Sequence, residues 1–336
     1  MGNSSSRRID AGSANPIAFA ELLEPLPEVK LTTATLTYEI EPQPRNEAAL
    51  RQLLSQIGRP LPSTALIVLS AGGSTQLIGA FYWAVSQLAG REVQVQSRTT
   101  PPYYALHQTI AGLVQGVKWV DATIPLTQVD VQVIVSPNNP TGELNSPSPD
   151  LSPASFVLLD KVYDSPQFVG PVTVNPWESA YYASTDRFCS IGSVSKLGLA
   201  GLRVGYAATR HPELARLMLE YVQASTLGTS SWSMAGLESS LSVINKAKIG
   251  QMYDLLKRRH AEIRAILPPS LTLSPSTAVP FILVNITQTA FATAGLIVNS
   301  GTAYRTSPEY SRIQLMVAEA DWKPMLNMVR KVVRQL

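Results

Sequence analysis

The sequence predicts a doubly wound α/β protein with a mostly parallel sheet and a second, smaller α+β domain. Three observations carry this expectation. From about residue 64, short β-branched runs alternate with longer helical patterns, the order that lays strands parallel with crossover helices between them. Several of those runs are apolar on both faces, as strands covered by helices on both sides must be. From about residue 210 the alternation stops, and long helical patterns lead into a separate strand pair and a closing helix.

The strand candidates, in order, are TALIVLS (64–70), REVQVQS (91–97), VDVQVIVS (129–136), SFVLLD (155–160), FCSIGS (188–193) and RVGYAAT (203–209). The Pro/Ser-rich NSPSPDLSP (145–153) lies between two of them and reads as a surface loop. Helical patterns follow in HPELARLMLEYVQAS and INKAKIGQMYDLLKRRHAEIRAIL. Strand-like FILVNIT and YSRIQLMV and the helix KPMLNMVRKVVRQL complete the chain. We place a large domain at residues 46–235 and a small one at 236–336, with residues 1–45 forming a leader and a segment that joins the small domain.

Composition bounds the function. The 336 residues are 45% hydrophobic and 15% charged, enough to bury a sizeable core. A net charge of +3 without a basic stripe argues against nucleic acid as a partner. One cysteine, Cys189, and three scattered histidines, His107, His211 and His260, assemble neither a disulfide framework nor a metal site. A reducing, cytoplasmic setting fits this usage, since no apolar run is long enough for a membrane span and no signal peptide is evident. The opening MGNSSSRR matches the myristoylation pattern at Gly2 and Ser6, so membrane contact is expected only if Gly2 is acylated; the simpler reading is a disordered, Ser-rich leader.

Ligands of open parallel sheets bind beyond the carboxyl ends of the strands, so the residues following each strand hold the chemistry. After the first comes AGGSTQLIGAF, where Gly73, Ser74 and Thr75 precede a helix and could cradle a phosphate; a plain tight turn is the alternative. After the second comes TTPPYYALHQ, whose Tyr103 and Tyr104 could stack on a flat ring or simply pack. SPNNPTGE offers Asn139 in a rigid turn. SFVLLDKVY ends a nearly all-apolar strand in Asp160, a carboxylate that needs a cationic partner, with Tyr163 three residues later. In SIGSVSKLGLAGLR, Lys196 lies just past a strand end between Ser193 and Arg203. Ser193 to Lys196 also matches the S-x-x-K of acyl-transferring serine enzymes, but the nearest companion, NSGT (299–302), has Asn299 where a lysine is required.

Taken together, TYEIEPQP, GGSTQL, PPYY, SPNNPTG, DKVY, SVSK with its arginine, and SGTAYRTSPEYSRIQLM resemble the fold-type I enzymes that use pyridoxal 5′-phosphate (PLP), the aminotransferase superfamily. The nearest look is to the alliinase and tryptophan-aminotransferase-related group, over residues from about 30 to the C-terminus. The resemblance implies a fold-type I PLP-transferase whose large domain, 46–235, binds the cofactor. Lys196 would form the internal aldimine and then act as base at Cα. Burial would lower that lysine's preference for its charged form.

By the same resemblance Asp160 would pair with the pyridine nitrogen, and Asn139 and Tyr163 would donate to the ring's phenolic oxygen. Tyr104, or else Tyr103, would stack on the ring. Gly73, Ser74, Thr75, Ser193 and Arg203 would hold the phosphate, joined by Tyr38 from a neighbouring subunit, which implies a homodimer. Arg312 would clamp the substrate α-carboxylate, with Asn139 beside it. No metal is implied. The chain departs from the family in two ways: Lys196 and Arg203 stand one residue closer than in SKxxGLAGLR, and the N-terminal part that would cover the substrate is short.

The resemblance implies an aminotransferase acting on an L-amino acid, with aromatic ones the first to test, and a 2-oxo acid. An alliinase-like β-elimination (C–S) lyase is the alternative. Alliinases carry a cysteine-rich N-terminal module and a signal peptide, and the single cysteine here tilts the expectation toward transamination. A reductase using the GGSTQ turn with Arg98 on a 2′-phosphate, or a catalytically silent relative, is a third possibility.

Overall fold

The computed structural model describes residues 8–30, 32–37, 40–172, 175–274 and 276–336. The chain opens with β1 (Ile9–Asp10), α1 (Ile17–Leu23), α2 (Thr33–Leu36) and α3 (Pro44–Gln56). The large sheet and its helices follow as β2 (Leu66–Ser70), α4 (Ser74–Ala89), β3 (Val93–Ser97), α5 (Leu106–Ala111), β4 (Val117–Trp119), β5 (Val131–Val135) and β6 (Phe156–Asp160). Next come α6 (Pro166–Val169), α7 (Trp177–Ser184), β7 (Phe188–Ser193), β8 (Gly205–Thr209), α8 (Pro212–Thr226), α9 (Ser231–Ser240) and α10 (Lys246–Arg264). The chain closes with β9 (Phe281–Val284), α11 (Gln288–Thr293), β10 (Leu296–Ile297), β11 (Asn299–Ser300), β12 (Ser311–Gln314) and α12 (Glu319–Val333).

Seven strands form the large sheet in the order β2-β8-β7-β6-β5-β3-β4. Along β5 and β6 every residue is buried, because neighbours in sequence feed different cores. Val133 and Leu158 point toward α4 and α8, whereas Ile134, Val157 and Leu159 join the core that continues into α1, α3 and α10. That is the physical content of strands that are apolar on both faces.

All six strand candidates are present, with three differences from the expected pattern. Strand β8 is antiparallel to both β2 and β7, so the sheet is mixed and four of its pairings are parallel. Only two short 3-10 turns, Val194–Leu197 and Ala200–Leu202, join β7 to β8, and a connection without a crossover helix returns the chain antiparallel. Strand β8 begins at Gly205, leaving Arg203 in a left-handed turn at φ 56°. Short β4, which the sequence reading did not include, extends the sheet beyond β3.

The C-terminal strands form a three-stranded antiparallel sheet, β11-β12-β9. The N-terminus is tied to this region: β1 pairs in parallel with β10, and Gln314 N–H donates to Ala11 O at 2.8 Å. Helix α1 then lies on the turn after Lys196. Gly198, at φ 87°, permits this approach, since a Cβ there would stand 2.8 Å from Ala20 N. Among the described residues, no helix is long and apolar enough to cross a membrane. The pattern at Gly2 lies outside the described residues, as does Tyr38.

Candidate active site

The carboxyl ends of β2, β5, β6 and β7 open on one cavity of about 500 Å³. Of the residues singled out in the sequence, Ser74, Thr75, Tyr104, Asn139, Asp160, Tyr163, Ser193, Lys196, Arg203 and Arg312 all line it. Gly73 lies at its edge, in the turn against Arg203. Tyr103 does not face the cavity: its ring packs on Trp119 at 5.9 Å and its hydroxyl donates to Gln108.

At one end, α4 begins at Ser74 with Gly73 as N-cap at φ 69°. No side chain caps this end, so the first-turn N–H groups of a 16-residue helix face the cavity with a favourable dipole for an anion. Arg203 reaches over the same turn and donates through Nη2 to Gly72 O at 3.0 Å and through Nη1 to Ala200 O at 3.4 Å. Neither acceptor is charged. Ser193 Oγ accepts from Ser195 N–H at 3.1 Å and lies 2.8 Å from Ser195 Oγ.

Asp160 ends β6 and is 4% exposed. Its Oδ1 accepts from Val162 N–H at 3.2 Å, and its Oδ2 lies 3.1 Å from His107 Nε2. Lys196 approaches from the turn after β7, its Nζ 5.7 Å from the centre of the Tyr163 ring. Burial, then Arg312 and Arg203, depress the Lys196 pKa to about 8, against a smaller opposing pull from Asp160. A substantial fraction of the amine is therefore neutral near physiological pH. The phenols flanking it stay protonated: burial raises Tyr163 well above its ordinary value, and burial with Asp160 pushes Tyr104 up to about 12.

Across the cavity, Arg312 is 2% exposed on β12. Its guanidinium carbon lies 4.0 Å from the Phe281 ring centre and 5.0 Å from that of Tyr304. Nη1 donates to Asn139 Oδ1 at 3.0 Å and Nη2 to Gly12 O at 2.8 Å, while Nε is buried with no partner among the described residues. A fully desolvated cation with only neutral acceptors is costly unless an anion joins it.

Several cavity residues carried no signal in the sequence reading. Gly12, Ser13, Ala14 and Asn15 line it, and Ala14 O accepts from Lys196 Nζ at 2.8 Å. Asn299 and Tyr304 complete the wall by Arg312, joined through Asn299 Nδ2 and the tyrosine hydroxyl at 3.0 Å. His107 was legible only in part: it follows Tyr104 by three residues, the spacing that puts two side chains on one side of a helical turn.

The sequence model of the alliinase (allinase) family matches residues 40–277. The chain belongs to the alliinase family. Tryptophan aminotransferase-related protein 2 of Arabidopsis thaliana is 30% identical over 195 residues, which cover 56% of this chain and 41% of that protein. The match thus spans about two-fifths of this relative's length. Among solved structures, the aspartate aminotransferase of Rhizobium meliloti superposes with a TM-score of 0.69 at 19% identity, covering 98% of this chain and 92% of the other. A methionine aminotransferase of Escherichia coli gives 0.71 at 16% identity, covering 96% and 93%. The alliinase-family fold of this chain is that of the fold-type I PLP enzymes, and the family is PLP-dependent.

The residues present suit that cofactor. Gly73 leaves a cradle that a Cβ would fill, 3.0 Å from Arg203 Nη2. Helix N–H groups, hydroxyls and an arginine gather there for a phosphate, a carboxylate stands at mid-cavity for a ring nitrogen, and an amine of lowered pKa lies within the same 500 Å³ for an aldehyde.

Proposed function

We propose that this alliinase-family chain is a PLP-dependent aminotransferase that moves the amino group of an L-amino acid, aromatic ones foremost, to a 2-oxo acid, with Lys196 as the cofactor's covalent anchor and the base at Cα. The observation that carries this reading is Arg312: a buried, aromatic-sandwiched guanidinium whose Nε has no partner among the described residues, facing the cavity that Lys196 enters. Its fork fits an α-carboxylate in two parallel hydrogen bonds.

When bound, PLP supplies an aldehyde that condenses with amines and a ring that draws electrons from the substrate's Cα. The protein's own groups supply the rest. The α4 N-terminus, Ser193 and Arg203 hold the phosphate. Asp160, braced by His107, would pair with the ring nitrogen. Tyr104 covers one ring face, and Asn139 and Tyr163 donate to the ring oxygen. Arg312 and Asn139 would hold the substrate carboxylate in the cavity that the Lys196 amine enters. That amine, partly neutral at pH 7–8, takes the Cα proton and can return it elsewhere. Tyr163 and Tyr304 line the same cavity and offer aromatic walls to the substrate side chain, which suits aromatic amino acids.

The family match supports a second reading, β-elimination with cleavage of a C–S bond, in which the same Lys196 base removes the Cα proton and a Cβ substituent departs. Incubation of the PLP-loaded protein with amino acids and 2-oxo acids separates the two. Formation of the cognate keto acid with stoichiometric amination of the 2-oxo acid supports transamination; ammonia and pyruvate from a cysteine derivative support the lyase. Neither product, with Lys196→Ala indistinguishable from wild type, refutes both.

A homodimer is part of this proposal. Leu36, Ile40, Leu227 and Trp232 are exposed by 71%, 54%, 43% and 43%. Leu36 and Leu227 share a groove with Ala71, which adjoins the phosphate turn. A second copy seated there would bury this apolar group and bring its own residues to the phosphate end, and light scattering on the purified chain measures the state. Cys189, wholly buried in β7, suits the reducing cytoplasmic setting we propose.

A further inference from the structure

Asp160 has a partner that is itself held in place. His107 Nε2 lies 3.1 Å from Asp160 Oδ2, and Tyr82 Oη lies 3.1 Å from His107 Nδ1. The three side chains are 4%, 1% and 0% exposed, in the order Asp160, His107, Tyr82. Among the described residues, Tyr82 Oη and the two imidazole nitrogens have no other hydrogen-bond partners.

Counting hydrogens assigns the tautomer. A neutral imidazole has one N–H and one lone pair. A lone pair on Nε2 would face the carboxylate's own, so Nε2 carries the hydrogen and donates to Asp160. Nδ1 must then accept, and among the described residues the only donor in reach is the Tyr82 hydroxyl. Burial, with Asp160 adding to it, holds that phenol well above its ordinary pKa, so it keeps its hydrogen. An imidazolium would instead turn Nδ1–H onto Tyr82 Oη and leave the phenolic hydrogen without an acceptor in a fully enclosed site.

We propose that Tyr82 is a positioning residue: its hydroxyl supplies the donor that Nδ1 of His107 needs once Asp160 has drawn the hydrogen to Nε2, and so locks the imidazole in the Nε2–H form that orients Asp160, with its remaining lone pairs toward the ring nitrogen of PLP. The orientation toward PLP rests on the cofactor reading above; the hydrogen-bond chain does not. Tyr82 stands eight residues beyond Ser74 on α4, about two turns along the helix. One rigid element therefore carries both the phosphate-facing N–H groups and the far end of the hydrogen-bond chain, so the two contacts to the cofactor share a frame.

The alternative is that Tyr82 only packs, edge-on against Phe81 at 6.0 Å and His107 at 6.4 Å. Tyr82→Phe keeps the ring and removes the hydroxyl. Long-range proton–nitrogen NMR of histidine-labelled protein without cofactor reads the tautomer directly, and His107→Gln assigns the signal among three histidines. The expected wild-type spectrum shows His107 protonated at Nε2 alone. Tyr82→Phe leaves Nδ1 without a donor and is expected to add the doubly protonated form and to raise the PLP dissociation constant about fivefold to tenfold, with a near-native melting temperature. A wild-type Nδ1–H signal overturns the proposal without recourse to any variant. So does a Tyr82→Phe protein that only melts lower, with tautomer and PLP affinity unchanged. A wild-type chain that takes up no PLP overturns the cofactor reading instead, so the two failures are distinguishable.

Discussion

Replacing Arg312 by methionine isolates the substrate clamp from the fold. The guanidinium now makes two hydrogen bonds to neutral acceptors, Asn139 Oδ1 at 3.0 Å and Gly12 O at 2.8 Å. Losing them costs about 1 kcal/mol each. Relief from burying a cation without a countercharge works in the opposite direction and is of the same order or larger. Methionine fills similar space between Phe281 and Tyr304, so the unfolding free energy is expected within about 2 kcal/mol of wild type. Catalysis should respond far more. Two charge-assisted bonds to a carboxylate, at about 1.5–3 kcal/mol each, amount to about 3–6 kcal/mol, or a fall of roughly 10²–10⁴ in kcat/KM. The assay compares single-turnover rates on PLP-loaded protein for an aromatic amino acid and for the matching amine, which lacks the carboxylate. Arg312→Met should slow the first and leave the second unchanged. Equal loss on both substrates, or no loss on either, refutes the assignment of Arg312.

Three further outcomes follow from the same geometry. Lys196 has a folded pKa of about 8, below its unfolded value near 10.4, so between these values the unfolded chain holds the extra proton and stability rises with pH. Denaturation of the cofactor-free protein across pH 8–10 should show this rise, at most about 2 kcal/mol, and Lys196→Met should lack it; parallel curves would discredit the lowered pKa. Gly73→Ala forces a side chain into φ 69° and within 3.0 Å of Arg203 Nη2. It should weaken PLP binding at least tenfold in an absorbance titration, with a stability loss of about 1–3 kcal/mol. Glu41, 2% exposed, accepts hydrogen bonds from Asn46, Thr229 and Gln43 N–H. Glu41→Gln turns an amide donor against one of these donors and should cost about 1–3 kcal/mol in urea unfolding, while an unchanged midpoint would count against the network.

What the sequence by itself determined is what local pattern can encode. The alternation of apolar runs with helical patterns specified the α/β class, because burial on both faces demands apolar residues at successive positions. The rule that ligands gather at strand ends then drew attention to Ser74, Asn139, Asp160 and Lys196, each within a few residues of a strand terminus. Arg312 came from family resemblance alone, since a single arginine in a strand has no local signature.

Tertiary structure alone decided the rest. The antiparallel direction of β8 depends on how the turn after Lys196 folds back, and its apolar run reads the same in either direction. The N-terminal segment supplies carbonyls to Lys196 and Arg312 across 182 and 300 positions, and backbone oxygens leave no trace in residue identity. Tyr82 and His107 sit in a helix and a loop-to-helix turn where either would pass for packing. Only when α4 and α5 meet beneath β6 do a phenol, an imidazole and a carboxylate fall into line. Periodicity reports which face of an element is buried, but which polar atoms meet there depends on distances that only the folded chain has.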